Sequence, residues 1–122
     1  MLNESQRFGN WGEDVVCKYL LDNGYKILER NYKNYYGEID IIVKLKSKII
    51  FIEVKTRSSR KFGLPEESVN QKKQQKILRA SEKYILDNKI KKECRIDVVT
   101  IEKDYSTRKI NLRHFKNAIR YF

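Results

Sequence analysis

Three ionisable residues stand where a buried strand would carry apolar ones. Asp40 lies within Gly37-Glu38-Ile39-Asp40-Ile41-Ile42-Val43, and Glu53 and Lys55 lie within Ile49-Ile50-Phe51-Ile52-Glu53-Val54-Lys55-Thr56-Arg57. Burying a carboxylate or an ammonium is costly unless it is paired or bound to a metal. Side chains alternate along a strand, so Glu38 and Asp40 share one face of the first run, while Phe51, Glu53, Lys55 and Arg57 share one face of the second. The polar break Lys46-Ser47-Lys48 between the runs reads as a hairpin turn, and a turn at Lys46-Ser47 sets Asp40 opposite Glu53. A bulge or a longer loop would make them diagonal neighbours in the same site. Like charges facing each other across a sheet are destabilising. A divalent cation removes that repulsion, and Mg²⁺ or Mn²⁺ prefers carboxylate oxygens together with water and substrate phosphate. Lys55, one pleat beyond Glu53, could hold a water or neutralise developing negative charge. These are the components of metal-assisted phosphodiester hydrolysis.

The elements that must position these residues follow from apolar spacing. Phe8, Trp11, Val15, Val16, Tyr19 and Leu20 recur at helical intervals and Asn23-Gly24 is a stop signal, so residues 5–23 are expected to be helical. Tyr25 to Tyr32 reads as a strand ended by a turn at Lys33-Asn34, and the charged hairpin follows. Residues 58–65 form a loop, and Glu66 to Asp87 returns to helical spacing through Val69, Ile77, Ala80, Tyr84 and Ile85. Arg95 to Glu102 is a further strand, Lys109 to Leu112 a short one, and the tail closes with a helical turn. Strands separated by a helix pair in parallel through a right-handed crossover. The expected fold class is α/β, a mixed central sheet flanked by helices in the order αβββαββ.

The 122 residues suit one domain, 1–122. Lys plus Arg number 27 against 16 Asp plus Glu, a formal net charge of +11, which favours a polyanionic partner such as DNA. The plainer explanation of that charge is solubility. The N-terminus is polar and no apolar run approaches the roughly 18 residues of a membrane span, so a cytoplasmic protein without a membrane partner is expected. Cys17 and Cys94 lie far apart without metal-ligand spacing and read as reduced packing residues. His114, the single histidine, reads as structural.

Asp40, twelve residues, then Glu53-Val54-Lys55 resembles the PD-(D/E)xK motif of the restriction-endonuclease-like superfamily. Within it the chain resembles the small YraN-like (UPF0102) family, related to archaeal Holliday-junction resolvases. The stretches that carry the resemblance are Gly9-Asn10-Trp11-Gly12-Glu13, Gly24-Tyr25, Arg30-Asn31, Gly37-Glu38-Ile39-Asp40 and Phe51 to Arg57. Gly63, Pro65, Val69, Lys72-Lys73 and Arg95 to Val99 extend it, so that it covers almost the whole chain. The resemblance implies a restriction-endonuclease-like fold, Asp40 and Glu53 as metal ligands, Lys55 as the catalytic lysine, and Glu13 as an acid joining them from the first helix. Ile39 stands where the superfamily has a proline. A resolvase that cuts symmetrically works as a dimer, so the resemblance allows a homodimer, although no residue here defines its face.

Other residues carry two readings each. Asn10-Trp11-Gly12-Glu13 could be a helix cap with a reciprocal acid, which would make Glu13 structural. Glu38 shares the face of Asp40 but could simply cap the turn after Gly37. Arg57, Arg60, Lys61, Lys72 and Lys73 are candidates for phosphate contacts, with Lys76 and Gln71 nearby, and phosphate contacts bring affinity without sequence information. The bland reading of such lysines is a solvated helix face. Tyr32, Tyr35 and Tyr36 could stack on exposed bases or pack at the rim of the core. Asp97, inside an apolar strand, reads as a hydrogen-bonding structural residue. The function expected is a Mg²⁺- or Mn²⁺-dependent nuclease acting on DNA, including branched or repair intermediates. The alternatives are a non-catalytic nucleic-acid-binding protein that keeps the fold, and an assembly protein whose basic surface is incidental.

Overall fold

The computed structural model describes residues 1–58 and 70–121, so Arg60, Lys61, Gly63, Pro65 and Val69 lie outside the described residues. Within them the order is α1 (Glu4–Asp22), β1 (Lys26–Asn34), β2 (Gly37–Leu45), β3 (Lys48–Ser58), α2 (Gln71–Asp87), β4 (Cys94–Lys103) and β5 (Ile110–Ile119). The fold is α/β, restriction-endonuclease-like, with a five-stranded mixed sheet in the spatial order β1-β2-β3-β4-β5. β1, β2 and β3 pair antiparallel as consecutive hairpins, β3 and β4 pair parallel on either side of α2, and β5 returns antiparallel to β4.

The alternation of the central strands sorts the core into two layers. Val16 and Leu20 of α1 meet Ile41, Val43, Ile50, Ile52, Val99 and Ile101 on one face of the sheet. Ile77, Ala80 and Tyr84 of α2 meet Ile42, Ile49, Phe51, Ile96 and Val98 on the other. Both faces of β2, β3 and β4 are thus buried, which is why those strands are nearly continuous in apolar residues.

Three boundaries differ from those the sequence predicts. α1 starts at Glu4, capped by Asn3, whose side chain accepts from the Gln6 N–H while the Gln6 side chain accepts from the Asn3 N–H. Asn10 is therefore inside the helix, and Glu13 is not part of a cap. β1 continues through Lys33 and Asn34, and the turn is Tyr35-Tyr36. Asn34 is held in the strand by its own side chain, which donates to Ala80 O at 3.0 Å and accepts from the Tyr36 N–H at 2.9 Å. Finally, β5 runs ten residues, Ile110–Ile119, in place of a short strand and a helical turn. Its pairing with β4 shifts between Ile96 and Val98 and Asn117 takes φ 54°, so the alternation that would mark a strand is interrupted. α2 begins at Gln71 behind the cap Asn70, and residues 66–69, where its spacing predicts the start, lie outside the described residues.

Candidate functional site

The register of the β2–β3 hairpin brings the acids together. Its ladder runs from Leu45↔Lys48 to Ile41↔Ile52, so the next pair in register is Asp40 with Glu53. There the ladder gives way: Asp40 Oδ2 accepts the Val54 N–H at 2.8 Å, a side chain taking the place of a backbone partner. Glu53 is only 4% exposed. Burial, then the charge of Glu53, pushes the Asp40 carboxyl up to about 8, against a smaller opposing effect of the Val54 hydrogen bond.

Two lysines converge on Glu53. Lys73 Nζ, from the first turn of α2, lies 2.9 Å from Glu53 Oε1, and Lys55 Nζ, from β3, lies 3.7 Å from the same oxygen. Burial and the neighbouring Lys73 ammonium lower the Lys55 pKa. Burial also works against the charge on Lys73, yet its contacts with Lys55 and Glu53 leave its pKa raised.

Glu13 approaches from α1. Val16 and Leu20, one and two turns on, are fully buried, which fixes the face Glu13 occupies. Its neighbour Gly12 sits tightly on β3, where an added Cβ would meet Thr56 Cγ2 at 2.9 Å. Glu13 Oε1 is buried without a hydrogen-bond partner; Arg30 Nη2 stands 3.7 Å away, at ion-pair distance only, and bonds Asp14 at 2.9 Å instead. Burial raises the Glu13 pKa, Arg30 opposes it, and the charge of Glu53 adds to the rise. An unsatisfied buried carboxylate oxygen beside two further acids is a poor structural contact and a good cation ligand.

The acids open onto a cleft of about 460 Å³ lined by Glu38, Asp40, Glu53, Asn70, Lys72 and Lys76, among others. Among the described residues, no three His, Cys, Asp or Glu close around one point as a ready cage. The donor set suits a hard cation that keeps waters and takes one or two carboxylates, as Mg²⁺ does.

Asp40, Glu53 and Lys55 therefore come together, Glu13 lies near enough for its charge to be felt without closing a three-acid group, and Lys72 borders the cleft. Arg57 follows on β3 and is partly buried. Arg60 and Lys61 lie outside the described residues. Lys73 is placed on Glu53, inside the acid cluster, and not on an open helix face. Glu38 is exposed and tied to Lys33 at 3.2 Å. Arg30 and Asn70 are further residues of the site that the spacing did not mark. The signal for Lys73 was its position three residues after a capping Asn, in the turn of α2 that opens toward β3.

Asp97 and His114 belong to a separate structural network. Asp97 is fully buried and bonded by Arg95, by His114 Nε2 at 2.8 Å and by the Asn117 N–H at 2.8 Å, while His114 Nδ1 meets Tyr19 OH at 2.7 Å. Burial opposes its charge, but these bonds win and hold its pKa below the usual range. Cys17 and Cys94 are free thiols.

The sequence profile of "Uncharacterised protein family UPF0102" matches residues 12–101. The chain belongs to UPF0102. A UPF0102 protein of Alkaliphilus oremlandii is 44% identical over 117 residues, 93% of this chain and 98% of the relative. One of Clostridioides difficile is 46% identical over 111 residues, 90% of this chain and 94% of the relative. Among solved structures, Pyrococcus furiosus SfsA in complex with Ca²⁺ aligns at TM-score 0.40 and 13% identity, over 96% of this chain and 65% of that one. At that level nothing about the neighbour's ligand passes to this UPF0102 chain. Among its described residues no helix is long and apolar enough to cross a membrane.

Proposed function

We propose that this UPF0102 protein is a divalent-metal-dependent nuclease that hydrolyses DNA phosphodiester bonds. The observation that carries the reading is Asp40 and Glu53 side by side in a cleft bordered by Lys72, Lys73 and Lys76, with Lys55 and Lys73 both on Glu53. Burial first, and then the charge of Glu53, raise the pKa of Asp40, a cost that a bound cation would offset.

Asp40 and Glu53 would hold the cation, with Glu13 behind them. When bound, it supplies Lewis-acid polarisation of the phosphoryl oxygens and a more acidic water. The chain's own groups do the rest. Lys55, half-buried on β3 with its Nζ 3.7 Å from Glu53 Oε1, has its pKa lowered by burial and by Lys73 and suits proton exchange with the attacking water. Lys73 stabilises negative charge that develops near Glu53. Lys72 and Arg57 hold the flanking phosphates, and Arg60 and Lys61, outside the described residues, are candidates for the same role.

Duplex, single-stranded, flap and four-way-junction DNAs incubated with Mg²⁺ or Mn²⁺ test this. The wild type should cut at least one of them, and Asp40→Ala or Lys55→Ala should lower the rate by roughly 10²-fold or more. Binding without metal-dependent cleavage, or cleavage indifferent to both substitutions, would refute it.

A further inference from the structure

The turn between β1 and β2 carries two aromatic side chains into water beside the cleft. Tyr35 is 91% exposed and Tyr36 42%, and their rings meet edge to face with centroids 5.3 Å apart. Single exposed aromatics are ordinary. These two, however, sit on a tip that is pinned: Asn34 bonds the Tyr36 N–H, the Tyr32 hydroxyl at 3.0 Å and the carbonyl of Ala80 on α2. The next residue, Gly37, lines the cleft with Asp40 and Glu53, and a Cβ there would touch Lys76 of α2 at 3.4 Å. Tyr35 is thus an aromatic on a fixed support, with little ordering entropy left to lose on binding.

Two residues of chain span at most about 7 Å, so Tyr35 stands within about two nucleotide steps of the cleft's edge at Gly37 and about five from Asp40, at ~3.4 Å per step of a stacked strand. The shallow depression beside Tyr36 is lined by Arg79, Glu82, Lys83 and Asp87, with Lys83 paired to Asp87 at 3.1 Å. In the neighbouring cleft, Lys72 and Lys76 suit phosphate once Asp40 and Glu53 hold a cation. In continuous duplex the bases offer no free π-face; an unpaired nucleotide does.

We propose that Tyr35 is a stacking platform for an unpaired base a few nucleotides from the phosphate held in the Asp40–Glu53 cleft. The substrate class is then DNA with unpaired nucleotides at the point of attack, such as an overhang, a flap or an opened junction, and not continuous duplex. This rests on the cleft being a phosphate site, but stacking can be measured without cleavage.

The experiment uses the intact protein in EDTA, with a blunt duplex and the same duplex bearing a short overhang that carries 2-aminopurine. The wild type should favour the overhang and quench its fluorescence. Tyr35→Ala should lose about 5- to 100-fold in affinity for the overhang while its blunt-duplex affinity stays within about twofold, and Tyr35→Trp should keep both. Equal losses on both DNAs, no loss on the overhang, or a wild type without preference would each overturn the proposal. A wild type that discriminates in EDTA but never cuts with metal would refute the nuclease and leave the stacking site standing.

Discussion

With its carboxyl turned away from water and set beside Glu53, Asp40 holds its proton up to about pH 8, against an ordinary value of 3.8. Between those values the folded chain binds more protons than the unfolded one, so stability falls as pH rises through that window. Glu13, also raised by burial, acts in the same direction. Asp97, held low, acts in the opposite direction, but only in acid below 3.8. The metal-free protein is therefore expected to be less stable at pH 8 than at pH 5, by on the order of a few kcal/mol, and to melt at a lower temperature there. Asp40→Asn should flatten that slope in a thermal-melt series, and Mg²⁺ should raise the wild-type midpoint more at pH 8, where cation and proton compete least. A slope unchanged by Asp40→Asn would mean that the acid pair is not the strained element of the site.

Helix α1 delivers Glu13 to the sheet through one close approach, that of Gly12 to β3 and β4. A Cβ at Gly12 would press on Thr56 Cγ2 at 2.9 Å and on Ile101 Cγ2 at 3.1 Å, both anchored in central strands. Gly12→Ala must lift the helix or displace those side chains, and should cost about 1–3 kcal/mol in urea unfolding. Gly9→Ala, where nothing lies within 4 Å, serves as the control and should not destabilise. Equal stability of the two variants would mean that α1 is not seated by Gly12. This docking also explains what was legible beforehand. Asp40 facing Glu53 depends on one two-residue turn and strict alternation, both local, so the residue types announced it. The central strands and α1 were readable for the same reason. Lys73 on Glu53 and Arg30 near Glu13 depend on where two helices settle on a sheet, and apolar spacing shows only which side of a helix faces inward. β5 was hidden by its irregular pairing around Asp97 and by the backbone twist at Asn117.

On the scale of the whole molecule, the net charge of +11 makes attraction to DNA cheap, and the question is whether that charge is organised. A diffuse excess would bind any polyanion with affinity spread over many weak contacts, and removing one lysine would change little. An organised site concentrates a few phosphate contacts around the cleft, each releasing counterions when made. Lys72, exposed at the rim of the cleft yet outside the acid cluster, separates the two cases. If the cleft receives the backbone, log affinity for duplex DNA plotted against log salt should fall linearly, and Lys72→Ala should flatten the slope by about one unit while weakening binding uniformly across sequences. Lys91→Ala, exposed in the connection between α2 and β4, should leave the slope as it was. Were both substitutions to act alike, the charge would be a property of the surface and not of the cleft. The cleft would then have to draw its phosphate by the bound cation alone, and single-turnover cleavage would lose its dependence on Lys72.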